Sequence, residues 1–238
     1  MLLPFEPARS RKTLIKVCGV SNLEDARLCA SLGVDLIGML LEKPGVPSKA
    51  HSDRISVSKA TTLVAELPGS LRSVLLVHDT DLDLILELAE RISPAALQVQ
   101  APIPPPNLRK LKMRSPHLSI IKTFSIQTGV TIEPLVREIQ GYWECGSIDA
   151  ALLDSVHGGS GRVHDWPLSA KLIQRLPQLP IILAGGLTST NVAEALRQVR
   201  PNGVDVMTGI TSTVRDRKDH NKLRAFVAAV RSAGTSNE

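Results

Sequence analysis

Aromatic residues are only 3% of this 238-residue chain, so its core must be built from Leu, Ile, Val and Ala. Branched aliphatics dominate the interior of parallel barrels, and the composition leans that way. Cysteine is scarce too. Cys18, Cys29 and Cys145 are odd in number and lack paired spacing, which argues against a disulfide framework and for a reducing, cytoplasmic compartment. No run approaches the ~18 continuous apolar residues of a membrane span, so no membrane partner is expected. The apolar run near the N-terminus is too short for a secretory signal. None of the six histidines has a zinc-type spacing, so no metal site is expected. There is no G-x-S-x-G elbow, Walker loop or Rossmann fingerprint, and no cofactor is expected. Nor is there a long basic run interleaved with aromatics, the pattern of single-strand binders. The net charge of +5 therefore suits an anionic small substrate better than nucleic acid.

What the chain does have is a recurring short aliphatic run. Such runs occupy residues 14–20, 34–41, 73–79, 96–100, 118–124, 148–154, 180–186 and 204–210. Most are continuously apolar rather than alternating, as in strands covered on both faces. Helical patterns lie between them. Residues 22–32 open on Asn22 as N-cap and stop before Gly33, a C′ glycine. Residues 190–199 place Val192, Ala195, Leu196 and Val199 on one face, and 82–92 and 222–232 repeat the pattern. Residues 101–117 read as a proline-rich loop followed by a short helix. Strand–helix alternation repeated eight times predicts an α/β fold, a single-domain (β/α)₈ TIM barrel over 14–232. A short extension (1–13) precedes it and a frayed tail (233–238) follows. An open doubly wound sheet is the competing architecture, and the count of eight favours closure.

In such a barrel the active site lies at the carboxyl tips of the strands. Polar residues there include Cys18, Asp79, Gln100, Lys122, Asp154, Gly185, Gly186, Thr208 and Gly209. Asp154 ends the run "ALLD". It either caps a turn or, poorly solvated at a buried tip, has a pKa raised toward that of a general acid. Cys18 is either an inert small hydrophobe or a base, since Lys16 two residues earlier shares its face and favours a thiolate. "AGGLTSTNV" and "MTGI" set glycines between strand and helix. Single glycines usually mark tight turns, but two such loops at adjacent late positions favour a phosphate cradle at Gly185, Gly186, Thr208 and Gly209. Gly158 and Gly159, in "HGGSGRVHDW", permit close approach to the phosphorylated ligand and a loop able to close over it.

The segments "IKVCGVSNLEDA", "GVDLIGMLL", "LLDSVHGGSGRVHDW", "LAGGLTSTNV" and "GVDVMTGI", with the closing "RKDHNKLRAF", resemble the phosphoribosylanthranilate isomerase family of tryptophan biosynthesis. The resemblance runs from about residue 14 to 226. It implies a single-domain (β/α)₈ enzyme, an aldose–ketose isomerase that turns a phosphoribosyl-amine into a 1-deoxyribulose by an Amadori rearrangement. It also implies Cys18 as general base, Asp154 as general acid, and Arg54, in "SDR", on the anthranilate carboxylate. A guanidinium suits a planar carboxylate, though a surface arginine is the bland alternative. Lys16 and Gln100 join Arg54 as substrate-contacting residues. The partner is a phosphorylated small molecule, and the family includes monomers and homodimers.

This sequence departs from the family pattern at several points. Gln100 stands where the usual histidine follows strand four, and Ala101 replaces the glycine after it. The loop before Arg54 is longer than usual. Met207 replaces a serine, Thr211 an acid, and His164 a phenylalanine. The base, the acid and the phosphate glycines are retained. The departures keep two alternatives open: a paralogous isomerase for another phosphorylated aminosugar, and a phosphate-ligand binding protein without turnover.

Overall fold

The computed structural model describes residues 12–42, 53–126, 129, 131–155, 163–212 and 217–235. Its strands are β1 (Leu14–Val17), β2 (Leu36–Leu41), β3 (Arg54–Ile55), β4 (Arg72–Val77), β5 (Ala96–Val99), β6 (Ser119–Ile126), β7 (Ala150–Ser155), β8 (Ile181–Leu183) and β9 (Gly203–Val206). The helices are α1 (Leu23–Ser31), α2 (Val57–Ala65), α3 (Leu82–Ile92), α4 (Pro105–Arg114), α5 (Ile132–Glu144), α6 (Trp166–Arg175), α7 (Val192–Val199) and α8 (His220–Thr235).

β1 pairs in parallel with both β2 and β9, and this closes the sheet into a ring. The expected barrel is present, with eight staves: β1, β2 and β4 to β9. β3 is an addition outside the ring, pairing only with the end of β2 through Leu40↔Arg54 and Leu41↔Ile55.

Alternate residues of each stave part into two apolar layers, as a two-residue repeat requires. Leu36, Val74, Ala96, Ile121, Leu152 and Ile182 fill the inside of the ring. Ile37, Leu75, Leu97, Ile120, Leu153 and Leu183 belong to the larger core shared with the helices. Side-chain parity therefore tells which polar residues face the barrel interior. Lys16, Asp205, Gln98, Thr123 and Asp154 do. Lys122 does not: it shares parity with Ile120 and Phe124 and lies 5.8 Å from the centre of the Tyr142 ring on α5. Its appearance among the tip candidates is thereby corrected.

Local chemistry sets the element ends. The Asn22 side chain accepts from the Asp25 N–H at the start of α1, and Gly33 follows its end with φ +73°. β8 and β9 stop sooner than the apolar runs suggest. Gly185 and Gly186 turn the chain with φ +81° and +63°, and Thr208–Ile210 coil into a 3₁₀ turn. α8 continues to Thr235, three residues past the barrel end placed at 232. At the opposite face, Asp35 accepts from the Ile15 N–H at 2.8 Å and from Arg231 of α8 at 3.3 Å, fastening the last helix to the first strand.

Candidate active site

The site begins with a charge inside an apolar strand. Lys16 is fully buried, and its ammonium donates to both carboxylate oxygens of Asp205, each at 3.0 Å. β1 and β9 are in register at these two residues, which sets the pair side by side. Burial works against the charged lysine, yet Asp205, and after it Cys18, hold its pKa above the usual value. Cys18 lies one strand repeat above Lys16. A Cβ added at Gly38 of β2 would come 3.0 Å from both the Cys18 Sγ and the Lys16 Nζ, so these atoms share one small space. Burial pushes the Cys18 thiol up to about 11, with Lys16 opposing the rise. The expected nearby ammonium is therefore present, but it is already committed to Asp205.

Asp154 enters the same interior from β7. Its Oδ1 accepts from the Ser155 N–H at 2.7 Å, and burial raises its pKa above the ordinary carboxylate value. The charges of Asp205 and Lys16 also act on it, as they act on Cys18. Base and acid candidates thus flank one central ion pair. A Cβ at Gly185 would come 3.0 Å from the Asp154 Oδ1 and 3.1 Å from the Nδ1 of His164. Only glycine fits where the carboxylate, the imidazole and a positive-φ turn meet.

His164 is buried, with Nε2 2.8 Å from the Ser169 hydroxyl and Nδ1 without a hydrogen-bond partner among the described residues. Burial lowers its pKa from 6.5 to about 4. The native state then binds this proton less readily than the unfolded chain. Stability is whole above about pH 6.5 and is lost as the pH falls toward 4, by about 3 kcal/mol. In His164→Phe this loss should vanish. Urea unfolding at neutral and acidic pH, compared between variant and wild type, checks it.

The two glycine turns pack on each other. A Cβ at Gly209 would land inside the van der Waals envelope of the Leu187 carbonyl oxygen. The Asn191 side chain ties the first turn to the start of α7, donating to the Gly186 carbonyl at 2.9 Å and accepting from the Thr188 N–H at 2.8 Å. Gly185, Gly186, Thr208 and Gly209 therefore form one backbone-walled corner beside Asp154. Gly209→Ala must push the turns apart. It should weaken binding of a phosphorylated ligand by tenfold or more, about 1.4 kcal/mol, measured by calorimetry. Gly158 and Gly159 lie outside the described residues.

Arg54 stands on β3, with Nη1 donating to the Leu41 carbonyl at 2.7 Å and its buried Nε without a hydrogen-bond partner among the described residues. Gln100 follows β5, at the same end of the barrel as Cys18 and Asp154. Sequence reasoning missed Asp205, Gln98, His164 as a polar neighbour of the acid, and Lys218. For Asp205 a signal existed: one carboxylate in the run "GVDV", mirrored by one lysine in "LIKV", each requiring a buried partner. For Lys218 the only signal was its place in the segment "RKDHNKLRAF"; it is buried, and its ammonium has no hydrogen-bond partner among the described residues.

The fold and the sequence have counterparts. The chain matches the family described as N-(5'phosphoribosyl)anthranilate (PRA) isomerase over residues 15–229. It is 36% identical to N-(5'-phosphoribosyl)anthranilate isomerase 1 of Methanosarcina mazei, covering 93% of this chain and 96% of that protein. Among solved structures it resembles monomers generated from the dimeric phosphoribosylanthranilate isomerase of Thermotoga maritima, with TM-score 0.75, 26% identity and coverage of 92% and 99%. It also resembles a phosphoribosyl anthranilate isomerase in complex with reduced 1-(O-carboxyphenylamino)-1-deoxyribulose 5-phosphate, with TM-score 0.73, 25% identity and coverage of 92% and 99%. With most of its length matched and an acid and a thiol facing one barrel interior, the chain belongs to the N-(5'-phosphoribosyl)anthranilate isomerase family.

Proposed function

We propose that the chain catalyses the Amadori rearrangement of N-(5-phosphoribosyl)anthranilate to 1-(2-carboxyphenylamino)-1-deoxyribulose 5-phosphate, a step in tryptophan biosynthesis. One observation carries this reading: Cys18 and Asp154 reach a single interior around the Lys16–Asp205 pair, next to the corner made by Gly185 and Gly209.

The substrate phosphate sits on the backbone of Gly185, Gly186, Thr208 and Gly209, where N–H groups suit an anion. Gly158 and Gly159 join that cradle from the sequence reading alone, since glycine lets the backbone approach a ligand closely. Asp154, protonated, gives its proton to the ribose ring oxygen. The C1–O bond breaks and the aminal opens to a protonated imine. The Cys18 thiolate then takes the proton from C2, and the electron pair neutralises the imine nitrogen to give an enolamine. Tautomerisation delivers the ketone. Each side chain thus makes one proton transfer, of the kind worth roughly 10²–10⁴-fold. Burial favours the protonated Asp154 this scheme needs, whereas it disfavours the thiolate. Arg54 and Gln100 line the substrate, Arg54 taking the anthranilate carboxylate, whereas Lys16, expected to touch it, is fully buried against Asp205 beneath Cys18.

The only small-molecule partner in this scheme is the phosphorylated substrate. The protein acts in the cytoplasm, as monomer or homodimer. Among the described residues no helix is long and apolar enough to cross a membrane.

Purified protein should consume N-(5-phosphoribosyl)anthranilate, seen as loss of its fluorescence, and should restore growth to a tryptophan auxotroph lacking this isomerase. Phosphate-ligand binding without either effect would overturn the reading.

A further inference from the structure

One buried charge is not used by the chemistry above. Lys218 precedes α8 and is 3% exposed, yet its Nζ has no hydrogen-bond partner among the described residues. Its backbone is firmly held. The Lys218 N–H donates to the Asp25 carboxylate at 2.9 Å, and that carboxylate also takes the Asn22 amide at 2.9 Å and pairs with the His220 ring at 2.9 Å. Lys218 further bridges Thr211 in antiparallel fashion. Fixed in this way, the side chain runs to the tip of β1. A Cβ at Gly19, the residue after Cys18, would come 3.0 Å from the Lys218 Nζ, 3.2 Å from the Met207 Cε and 3.3 Å from the Asp53 Cβ.

A buried ammonium without a counter-ion is unfavourable unless an anion forms beside it. Lys16 also hydrogen-bonds Cys18, but both of its contacts to Asp205 are made and that pair is neutral overall, so the net positive charge beside the thiol comes from elsewhere. The acid that the family resemblance places at position 211 is a threonine here, and its hydroxyl donates to the Met207 carbonyl at 3.0 Å rather than facing the lysine as a charge. We propose that Lys218 is the counter-charge of the Cys18 thiolate: its unpartnered ammonium at the β1 tip holds the base in ionised form. The proposal rests on the reading of Cys18 as the base. Lys218 is a positioning residue here and neither takes nor gives a proton.

Several other charges face this region. Lys16 lies on β1, Asp205 on β9 and Asp154 on β7, with Asp53 ahead of β3 and Asp25 and Cys29 on α1 behind the lysine. Of the cations that act on Cys18, Lys16 is the stronger and is already paired, and Lys218 is the second.

The test compares wild type, Lys218→Met, Lys218→Arg and Thr211→Glu. Iodoacetamide alkylation of Cys18 is followed by mass spectrometry at fixed pH, where its rate tracks the thiolate fraction. Lys218→Met and Thr211→Glu should slow it about tenfold, one pKa unit, with Lys218→Arg close to wild type. The kcat should fall by a similar factor, with KM little changed. Thr211→Glu keeps the lysine and neutralises it, so it carries the test if Lys218→Met does not fold. Unchanged alkylation in both variants overturns the proposal. So does a raised KM with intact kcat, which would make the ammonium a seat for the ligand's carboxylate. Alkylation needs no turnover, so a wild-type protein inactive on N-(5-phosphoribosyl)anthranilate would fail the functional reading separately.

Discussion

Asp154→Asn should lower kcat by roughly two to four orders of magnitude. Asparagine keeps the shape and can still accept from the Ser155 N–H, which Asp154 now does at 2.7 Å. It cannot deliver a proton to a ring oxygen. Binding should survive, because the phosphate corner at Gly185 and Gly209 stands on backbone that the change does not touch. Steady-state kinetics with the fluorescent substrate reads this directly: a collapse in kcat with KM little altered. A variant at full rate would remove Asp154 from the chemistry and leave its raised pKa a consequence of burial alone.

Asp205→Ala carries the second large effect, and it falls on folding. Lys16 is fully buried, and Asp205 is the carboxylate that takes its ammonium, with both oxygens. Removing the partner strands a charge in the barrel interior, at a cost of about 3–5 kcal/mol. Urea denaturation should show the loss as a shifted midpoint at unchanged slope. The paired replacement Lys16→Met with Asp205→Leu should recover most of the stability, since apolar residues often replace a buried ion pair without loss. The double variant also removes two charges that act on Cys18 in opposite senses, Lys16 and Asp205, and leaves Lys218 as the cation acting on the thiol. If Asp205→Ala unfolds at the wild-type midpoint, the pair does not hold the barrel together.

These effects trace back to unequal legibility in the sequence. The eight staves could be read because strands buried on both faces are written as unbroken aliphatic runs, and the ring indeed closes through β1 with β9. Cys18, Asp154, Gly185 and Gly186 could be read because polar or flexible residues at the ends of such runs stand out. β3 could not, because two residues, Arg54 and Ile55, are too few to show a period. The direction of Lys122 needed parity counted from its neighbours Ile120 and Phe124 rather than its place at a strand end. Pairings across the ring were hidden as well. Lys16 and Asp205 are 189 residues apart, and only the register of β1 on β9 joins them. The Lys218 ammonium reaches Gly19 for the same reason, through a closure that local patterns do not encode.

One measurement tests the central claim most directly: ligand binding and single turnover in Cys18→Ala, side by side. If thiol and carboxyl act on one sugar held by its phosphate, the variant binds the phosphorylated ligand within a few-fold of wild type and produces no ketone. Rearrangement at the wild-type rate without the thiol would contradict the account.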